Sequence, residues 1–180
     1  MRRKAFARST ADRAVGAGTS HASCEGMIQR VLIPVDFSET SVSAAEYGCA
    51  LAARFGADVT LLNVYSPGVL ALPDAVYGPT AEELLAMAHA AEAHLESLAA
   101  KLERDGVIIH CEAVEGQPAD AILAWAARKH PDLIVMGTHG RRGVSHLLLG
   151  SVAEHTVRYA TCPVLTVGQK CGAPSHAVAL

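Results

Sequence analysis

Aromatic residues are scarce in this chain, with 3 Phe, 4 Tyr and 1 Trp among 180 residues. Its core therefore has to be aliphatic, and Ala, Val and Leu dominate the composition. Such a core suits a parallel sheet covered on both faces, whose strands read as unbroken apolar runs. No run of about 18 apolar residues occurs, so no membrane-spanning helix is expected. There is no basic stripe with interleaved aromatics, and the formal charge is −3, so nucleic acid is not an expected partner. The five cysteines are odd in number and contain no C-x-x-C. A disulfide framework is therefore not expected, and a reducing, cytoplasmic location is. Cys49, Cys111 and Cys162 fall inside predicted elements, where Cys acts as a small apolar residue. Cys24 and Cys171 lie in the end segments as free thiols.

The start of the chain, Met1-Arg2-Arg3-Lys4, is basic, but the apolar stretch a signal peptide needs does not follow it. Arg8, Arg13 and several Ser and Thr leave three readings for residues 1–28: a transit peptide, a disordered or weakly ordered extension, or a misplaced start, with Met27 as the natural one. Residues 29–168 read as one domain and residues 169–180 as a loose tail.

Within the domain, strands and helices alternate. Residues 30–35 (RVLIPV) are the first strand. Ser38 is a candidate N-cap for a helix over residues 39–55, whose buried face repeats at Val42, Ala45, Cys49 and Ala52. Gly56 ends it. Residues 58–64 (DVTLLNV) are strand two, and residues 65–78, rich in Pro and Gly, are a loop. Thr80 and Glu83 form a capping box opening a helix that runs to about Arg104. Its stripe of Leu84, Ala88, Ala91, Leu95, Leu98 and Leu102 packs on the core or on a heptad partner. Strand three spans residues 107–114, a helix spans 119–129, and strand four spans 132–136. A Gly-rich loop and turn occupy residues 137–149. Ser151 and Glu154 read as a second capping box, for a helix to about Ala160, and residues 163–167 (PVLTV) are strand five. The alternation predicts an α/β fold, a single doubly wound five-stranded parallel sheet with helices on both faces and right-handed crossovers.

In such sheets ligands sit beyond the carboxyl ends of the strands, at the point where strand order reverses. Two of these ends are polar here. Strand one ends in Asp36-Phe37-Ser38. Strand four ends in Gly137-Thr138-His139-Gly140, and Gly150-Ser151 opens the next helix. Gly137 and Gly140 lack Cβ atoms, so phosphate oxygens can approach their amides, or the two glycines simply make a turn. A helix N-terminus at Gly150-Ser151 favours an anion, and Ser151 is either a phosphate donor, an N-cap or both. Arg141 and Arg142 are either phosphate partners or solvated. Asp36 either caps the first helix or contacts a ligand. His139 is a loop histidine or a catalytic one. His89 and His94, five apart, fall on different helix faces, which argues against a zinc pair. Trp125 reads as packing.

The series Gly137-x-x-Gly140, nine residues, then Gly150-Ser151 resembles the nucleotide motif of ATP-binding universal stress proteins. The opening Pro34-Val35-Asp36-Phe37-Ser38 and the closing Cys162-Pro163-Val164-Leu165-Thr166-Val167 are similar to that family too. The resemblance spans Arg30 to Val167. It implies a strand order of 3-2-1-4-5 and an adenine-nucleotide site that draws on Pro34, Val35, Asp36 and Ser38. The main chain of Val64 would hold the adenine, and Asp36 the ribose or adenine end. Met136, Gly137, Thr138, His139, Gly140, Arg141, Gly150, Ser151 and Val152 would surround the phosphates, with Mg²⁺ or Mn²⁺ bound through those phosphates and no metal site of the protein's own. It also implies a homodimer paired through the last strand, whose apolar edge needs cover.

Competing folds lack their motifs. There is no G-x-x-x-x-G-K-[ST] and no G-x-G-x-x-G after strand one. No Ser-His-Asp arrangement stands out. Ser38, Thr40 and Ser41 would suit an FMN phosphate, but the aromatics that sandwich a flavin are not evident. Three functions follow. The first is a non-catalytic, ATP-binding regulatory protein of the stress response acting on an unidentified signalling protein. The second is a slow ATPase or phosphotransferase, with Asp36, Arg141 and a metal supplying charge. The third is a dimeric adaptor with little nucleotide dependence.

Residues 1–26 have no periodic apolar face to bury, and their Ser, Ala, Gly and Arg content suits disorder. Deleting them is expected to leave melting temperature and ATP affinity nearly unchanged. A fall of several degrees in a thermal melt would show that the segment packs on the domain.

Overall fold

The computed structural model describes residues 28–68, 70–72, 75–104, 106–138 and 150–168. The chain runs β1 (Arg30–Pro34), α1 (Glu39–Phe55), β2 (Asp58–Tyr65), β3 (Leu70–Leu72), β4 (Ala75–Tyr77), α2 (Ala81–Leu102), β5 (Ile109–Glu115), α3 (Pro118–Lys129), β6 (Leu133–Gly137), α4 (Ser151–Tyr159) and β7 (Val164–Val167). Five strands form one parallel sheet in the order β5-β2-β1-β6-β7. Counting only these core strands, that is the expected 3-2-1-4-5. The readings of residues 1–27 and 169–180 lie outside the described residues.

Alternation along the strands sorts side chains to two faces. Val31, Ile33 and Val35 of the β1 segment, Val59 and Leu61 of β2, and Leu133 and Val135 of β6 meet Ala44, Ala45, Cys49 and Ala52 of α1 and Leu95, Leu98 and Leu102 of α2. Leu32, Leu62, Ile134 and Met136 face the other way, against Ile122, Trp125 and Ala126 of α3 and Ala153 of α4. Small residues let α1 lie close to the sheet. A Cβ added at Gly48 would stand 2.5 Å from Ile33 Cδ1 and 3.4 Å from Val135 Cβ.

The helix ends follow the sequence signals in three of four cases. Ser38 caps α1 by accepting from the Ser41 amide at 3.3 Å, and Gly56 closes it with φ 65°. At α2 the Thr80 amide donates to Glu83 Oε2 at 2.7 Å and the Glu83 amide donates to Thr80 Oγ1 at 3.3 Å. The Thr80 amide and the Thr80 hydroxyl, which donates to the same Oε2 at 3.0 Å, hold the Glu83 carboxyl below its ordinary pKa. Four residues of the expected α2 stripe, Ala91, Leu95, Leu98 and Leu102, are buried on the sheet, while Leu84 and Ala88 are half-buried. The exception is the box expected at Ser151 and Glu154. Gly150 is the N-cap, with φ −62° and ψ 148°, and no side chain caps the helix. Glu154 bonds Arg158 at 3.1 Å instead.

A second departure is the stretch expected as a loop, where β3 and β4 pair antiparallel, Leu70 opposite Tyr77 and Leu72 opposite Ala75. Three-residue strands are too short to display a period of two, and the Pro and Gly around them masked the hairpin. Trp125 is buried and donates from Nε1 to Glu112 Oε2 at 2.6 Å. Cys49, Cys111 and Cys162 are free thiols. Burial pushes the Cys49 thiol up to about 11. Cys162 lies in the turn before β7 rather than inside an element. Among the described residues no helix is long and apolar enough to cross a membrane.

Candidate functional site

Strand order reverses between β1 and β6, so their carboxyl ends bound the crevice of this sheet. At the amino ends, Asp132 Oδ2 accepts from the amides of Gln29 at 3.0 Å and Arg30 at 2.9 Å, which sets the two strands in register. The crevice therefore opens at a fixed pair of strand ends.

On the β1 side the last sheet bond runs from the Val35 amide to Leu62 O at 2.8 Å. Asp36 Oδ1 then accepts from the Ser38 amide at 3.1 Å and from Ser38 Oγ at 2.6 Å. Ser38 Oγ also lies 3.1 Å from Thr40 Oγ1. Asp36 thus braces the turn while Ser38 caps the helix, so of the two readings of Asp36 the capping one is taken by its neighbour. Between them Phe37 has φ 63°, a left-handed conformation that bulky residues seldom adopt. Its ring packs on the core and meets His94 of α2 edge-on, with centroids 5.5 Å apart. No sequence signal marked Phe37, because nothing in a D-F-S run reveals a backbone angle.

Asn63 also escaped the sequence reading. Placed inside an apolar strand, it is 7% exposed, and its Nδ2 donates to Val35 O at 2.7 Å. Its neighbour Val64 was expected. The Val59 amide donates toward β5 and the Asp58 amide toward β1, so alternation turns the Val64 N–H and C=O toward the β1 side. β1 pairing stops at Pro34 opposite Leu62, so those two groups face the crevice.

On the β6 side, Gly137 lies against α1. A Cβ there would be 3.0 Å from the Thr40 carbonyl carbon and oxygen and 3.1 Å from the Ser41 amide nitrogen. The space a side chain would need is filled by the first turn of α1, so packing by itself accounts for this glycine. Next, the Thr138 amide donates to Val167 O at 3.0 Å, and Thr138 O accepts from the Gly150 amide at 2.7 Å. The chain leaves at Thr138 and is back within one hydrogen bond at Gly150. The amino end of α4 consequently stands beside the end of β6. The Glu154 amide makes the first helical bond, to Gly150 O, so the amides of Ser151, Val152 and Ala153 have no acceptor within the helix. Ser151 is exposed and Val152 is half-buried on the second core cluster.

Pro34, Val35 and Met136, near the same two strand ends, are buried. Asp36, Ser38, Val64, Gly137, Thr138, Gly150, Ser151 and Val152 are brought to the ends of the central strands. His139, Gly140, Arg141 and Arg142 lie outside the described residues. Among the described residues no group of three or more His, Cys, Asp or Glu is placed to hold a metal ion.

Residues 27–168 match the Universal stress protein family. A universal stress protein of Methanocaldococcus jannaschii is 39% identical over 145 residues, covering 79% of this chain and 84% of the relative. A solved universal stress protein from Lactobacillus plantarum has a TM-score of 0.63 at 27% identity, covering 78% of this chain and 97% of the other. A universal stress protein family member from Arabidopsis thaliana, solved with AMP bound, has a TM-score of 0.53 at 25% identity, covering 78% and 91%.

The contact at Gly137 yields a direct test. Main-chain atoms of Thr40 and Ser41 cannot swing aside as a flexible side chain would. Gly137→Ala is expected to lower unfolding stability by about 1–3 kcal/mol, the range for overpacking, read by chemical denaturation. An unchanged midpoint would show that α1 yields freely here.

Proposed function

The chain belongs to the universal stress protein family, and on that premise we propose that it is an ATP-binding regulatory protein of the stress response that works in the cytoplasm through an unidentified signalling partner. The observation that carries the reading is the return of the chain at Gly150 to Thr138, which sets the amino end of α4 beside β6, across from the Asp36 turn.

The residues fit a nucleotide in three ways. The three amides at the start of α4 that have no acceptor within the helix, together with the Ser151 hydroxyl, are donors for phosphate oxygens, aided by the positive end of the helix dipole. Val64 offers one donor and one acceptor toward the crevice. Adenine presents the acceptor N1 beside the N6 amino donor, so the two edges are complementary. Asp36 is within the same crevice, with Oδ1 engaged by Ser38, which suits holding a ribose or adenine group better than acting as a base. Gly137 contributes closeness of packing rather than direct contact. His139, Gly140 and Arg141 complete the proposed phosphate loop by sequence. A divalent ion would be carried on the phosphates. The AMP bound by the Arabidopsis relative supports an adenine nucleotide as the ligand class.

A ligand that binds only the folded state stabilises it by mass action, by about 2.7 kcal/mol at a hundredfold excess over Kd. Millimolar ATP with Mg²⁺ is expected to raise the melting temperature more than GTP does. Ser151→Ala is expected to melt like the wild type without nucleotide, because Ser151 makes no capping bond, and to lose most of the ATP shift. No shift with millimolar ATP would sink the proposal.

We also propose a homodimer through β7. Among the described residues this strand pairs with β6 alone and lies at the sheet edge. Val164, Leu165 and Thr166 are only half-buried within one chain. A two-fold axis lets such an edge pair with its own copy. Light scattering at micromolar protein is expected to give twice the chain mass, and Val164→Pro to weaken the pairing by removing a ladder donor. A monomer mass refutes the dimer, and a dimer indifferent to Val164→Pro places the interface elsewhere.

A further inference from the structure

We infer that Asn63 is a positioning residue that holds open the base-recognition edge of the crevice. Its side-chain amide occupies the Val35 carbonyl and thereby reserves the main chain of Val64 for adenine. The inference rests on the nucleotide reading above and adds the residue that makes it selective.

In a parallel pair, a residue that donates to position j−1 of its neighbour accepts from position j+1. The Val35 amide donates to Leu62 O at 2.8 Å. Continued by one rung, the ladder would have the Val64 amide donate to Val35 O. That bond is replaced. Val35 O accepts from Asn63 Nδ2 at 2.7 Å instead. The assignment is fixed by chemistry, because only the nitrogen of the carboxamide can donate to a carbonyl.

Satisfying the Val35 carbonyl does not by itself require Asn63. The Val64 amide lies on the correct side of β2 and would serve with a Leu or Val at position 63, as in the rest of this apolar strand. Placing a carboxamide at 7% exposure to do the same work is unfavourable twice over, because a polar group is buried and a main-chain donor is displaced. The gain is that one N–H and one C=O, from the same residue and facing the same way, remain for a ligand at the end of the sheet. Adenine matches that pair. Guanine presents a donor at N1 and an acceptor at O6, so donor would face donor and acceptor would face acceptor. The turn at Phe37, with φ 63°, carries β1 away immediately afterwards and keeps its backbone from closing the gap.

Amide hydrogen exchange on the full chain tests this without a ligand. The Val64 amide is expected to exchange much faster than that of Leu62 in the free protein, and to slow when ATP is added. In Asn63→Leu the ladder is expected to close by one rung. Val64 exchange then slows without nucleotide, ATP affinity falls about tenfold, as for one lost hydrogen bond, and the preference for ATP over GTP shrinks toward none. A merely structural Asn63 would change stability without protecting Val64 or altering the ATP to GTP ratio, and that outcome overturns the inference. So does a Val64 amide as protected as Leu62 in the free wild type, which decides the matter even if Asn63→Leu fails to fold. If the wild type binds no nucleotide at all, the recognition role falls together with the proposed function. Fast Val64 exchange that slows in Asn63→Leu would still uphold the open rung, so the two failures read differently.

Discussion

The pairing of β1 with β6 is the constraint on which the rest of the molecule depends. β1 leads through α1 to β2 on one side, while β6 leads through α4 to β7 on the other, so adjacent strands at the centre send their chains apart. The separation makes a crevice that no side chain has to be removed to create. One carboxylate governs the register, since Asp132 receives the amides of Gln29 and Arg30 and its own amide donates to Arg30 O at 2.9 Å. A slip of one residue at that end would interchange the two faces of β1 and bury the wrong set. Order at the amino ends is thus what fixes Asp36 and Gly137 at the carboxyl ends.

Close packing then determines which groups in the crevice are available to a ligand. α1 presses its first turn against Gly137, and α4 anchors its N-cap amide on Thr138. Both contacts consume features that a motif reading assigns to phosphate, the missing Cβ of one glycine and the amide of another. What is left is the run of amides after Gly150. The glycines of the motif therefore divide their duties. Gly137 lets a helix come near, and Gly150, in extended conformation, lets the chain turn into α4 within one hydrogen bond of where it left.

Element order, fold class and most helix boundaries were legible because apolar periodicity and capping chemistry are local. Ser38, Gly56 and the Thr80–Glu83 box act within four residues of themselves, so their meaning does not depend on the rest of the chain. Ser151 and Glu154 carry the same local signature, yet Thr138 anchors the Gly150 amide and the helix begins one residue earlier, leaving the box without its N-cap. The β3–β4 hairpin was illegible because its strands are shorter than the period that would reveal them. Asp36 and Val64 were placed by resemblance, whereas Asn63 and Phe37 were missed. An Asn inside DVTLLNV reads as a tolerated polar residue, and its importance arises only from where β1 stops, which is a property of a strand distant in sequence.

Phe37 and Asn63 nevertheless express one design. Each breaks a local rule, a bulky residue at positive φ and a carboxamide buried in an aliphatic strand, and such violations concentrate where function overrides stability. Both act on the same event, the early departure of β1 from the sheet. Phe37 turns the backbone away, its ring held by the core and by His94. Asn63 satisfies the carbonyl at which the turn begins. Without Phe37 the strand would have a route to continue along β2, and without Asn63 the Val35 carbonyl would draw the Val64 amide back into the ladder. An unfinished sheet edge in the middle of a fold is unstable toward completing itself, because each further rung gains a hydrogen bond. It persists here because the chain supplies a substitute donor and a strained turn at the same place, so the polar edge of Val64 is maintained by the fold before any ligand arrives.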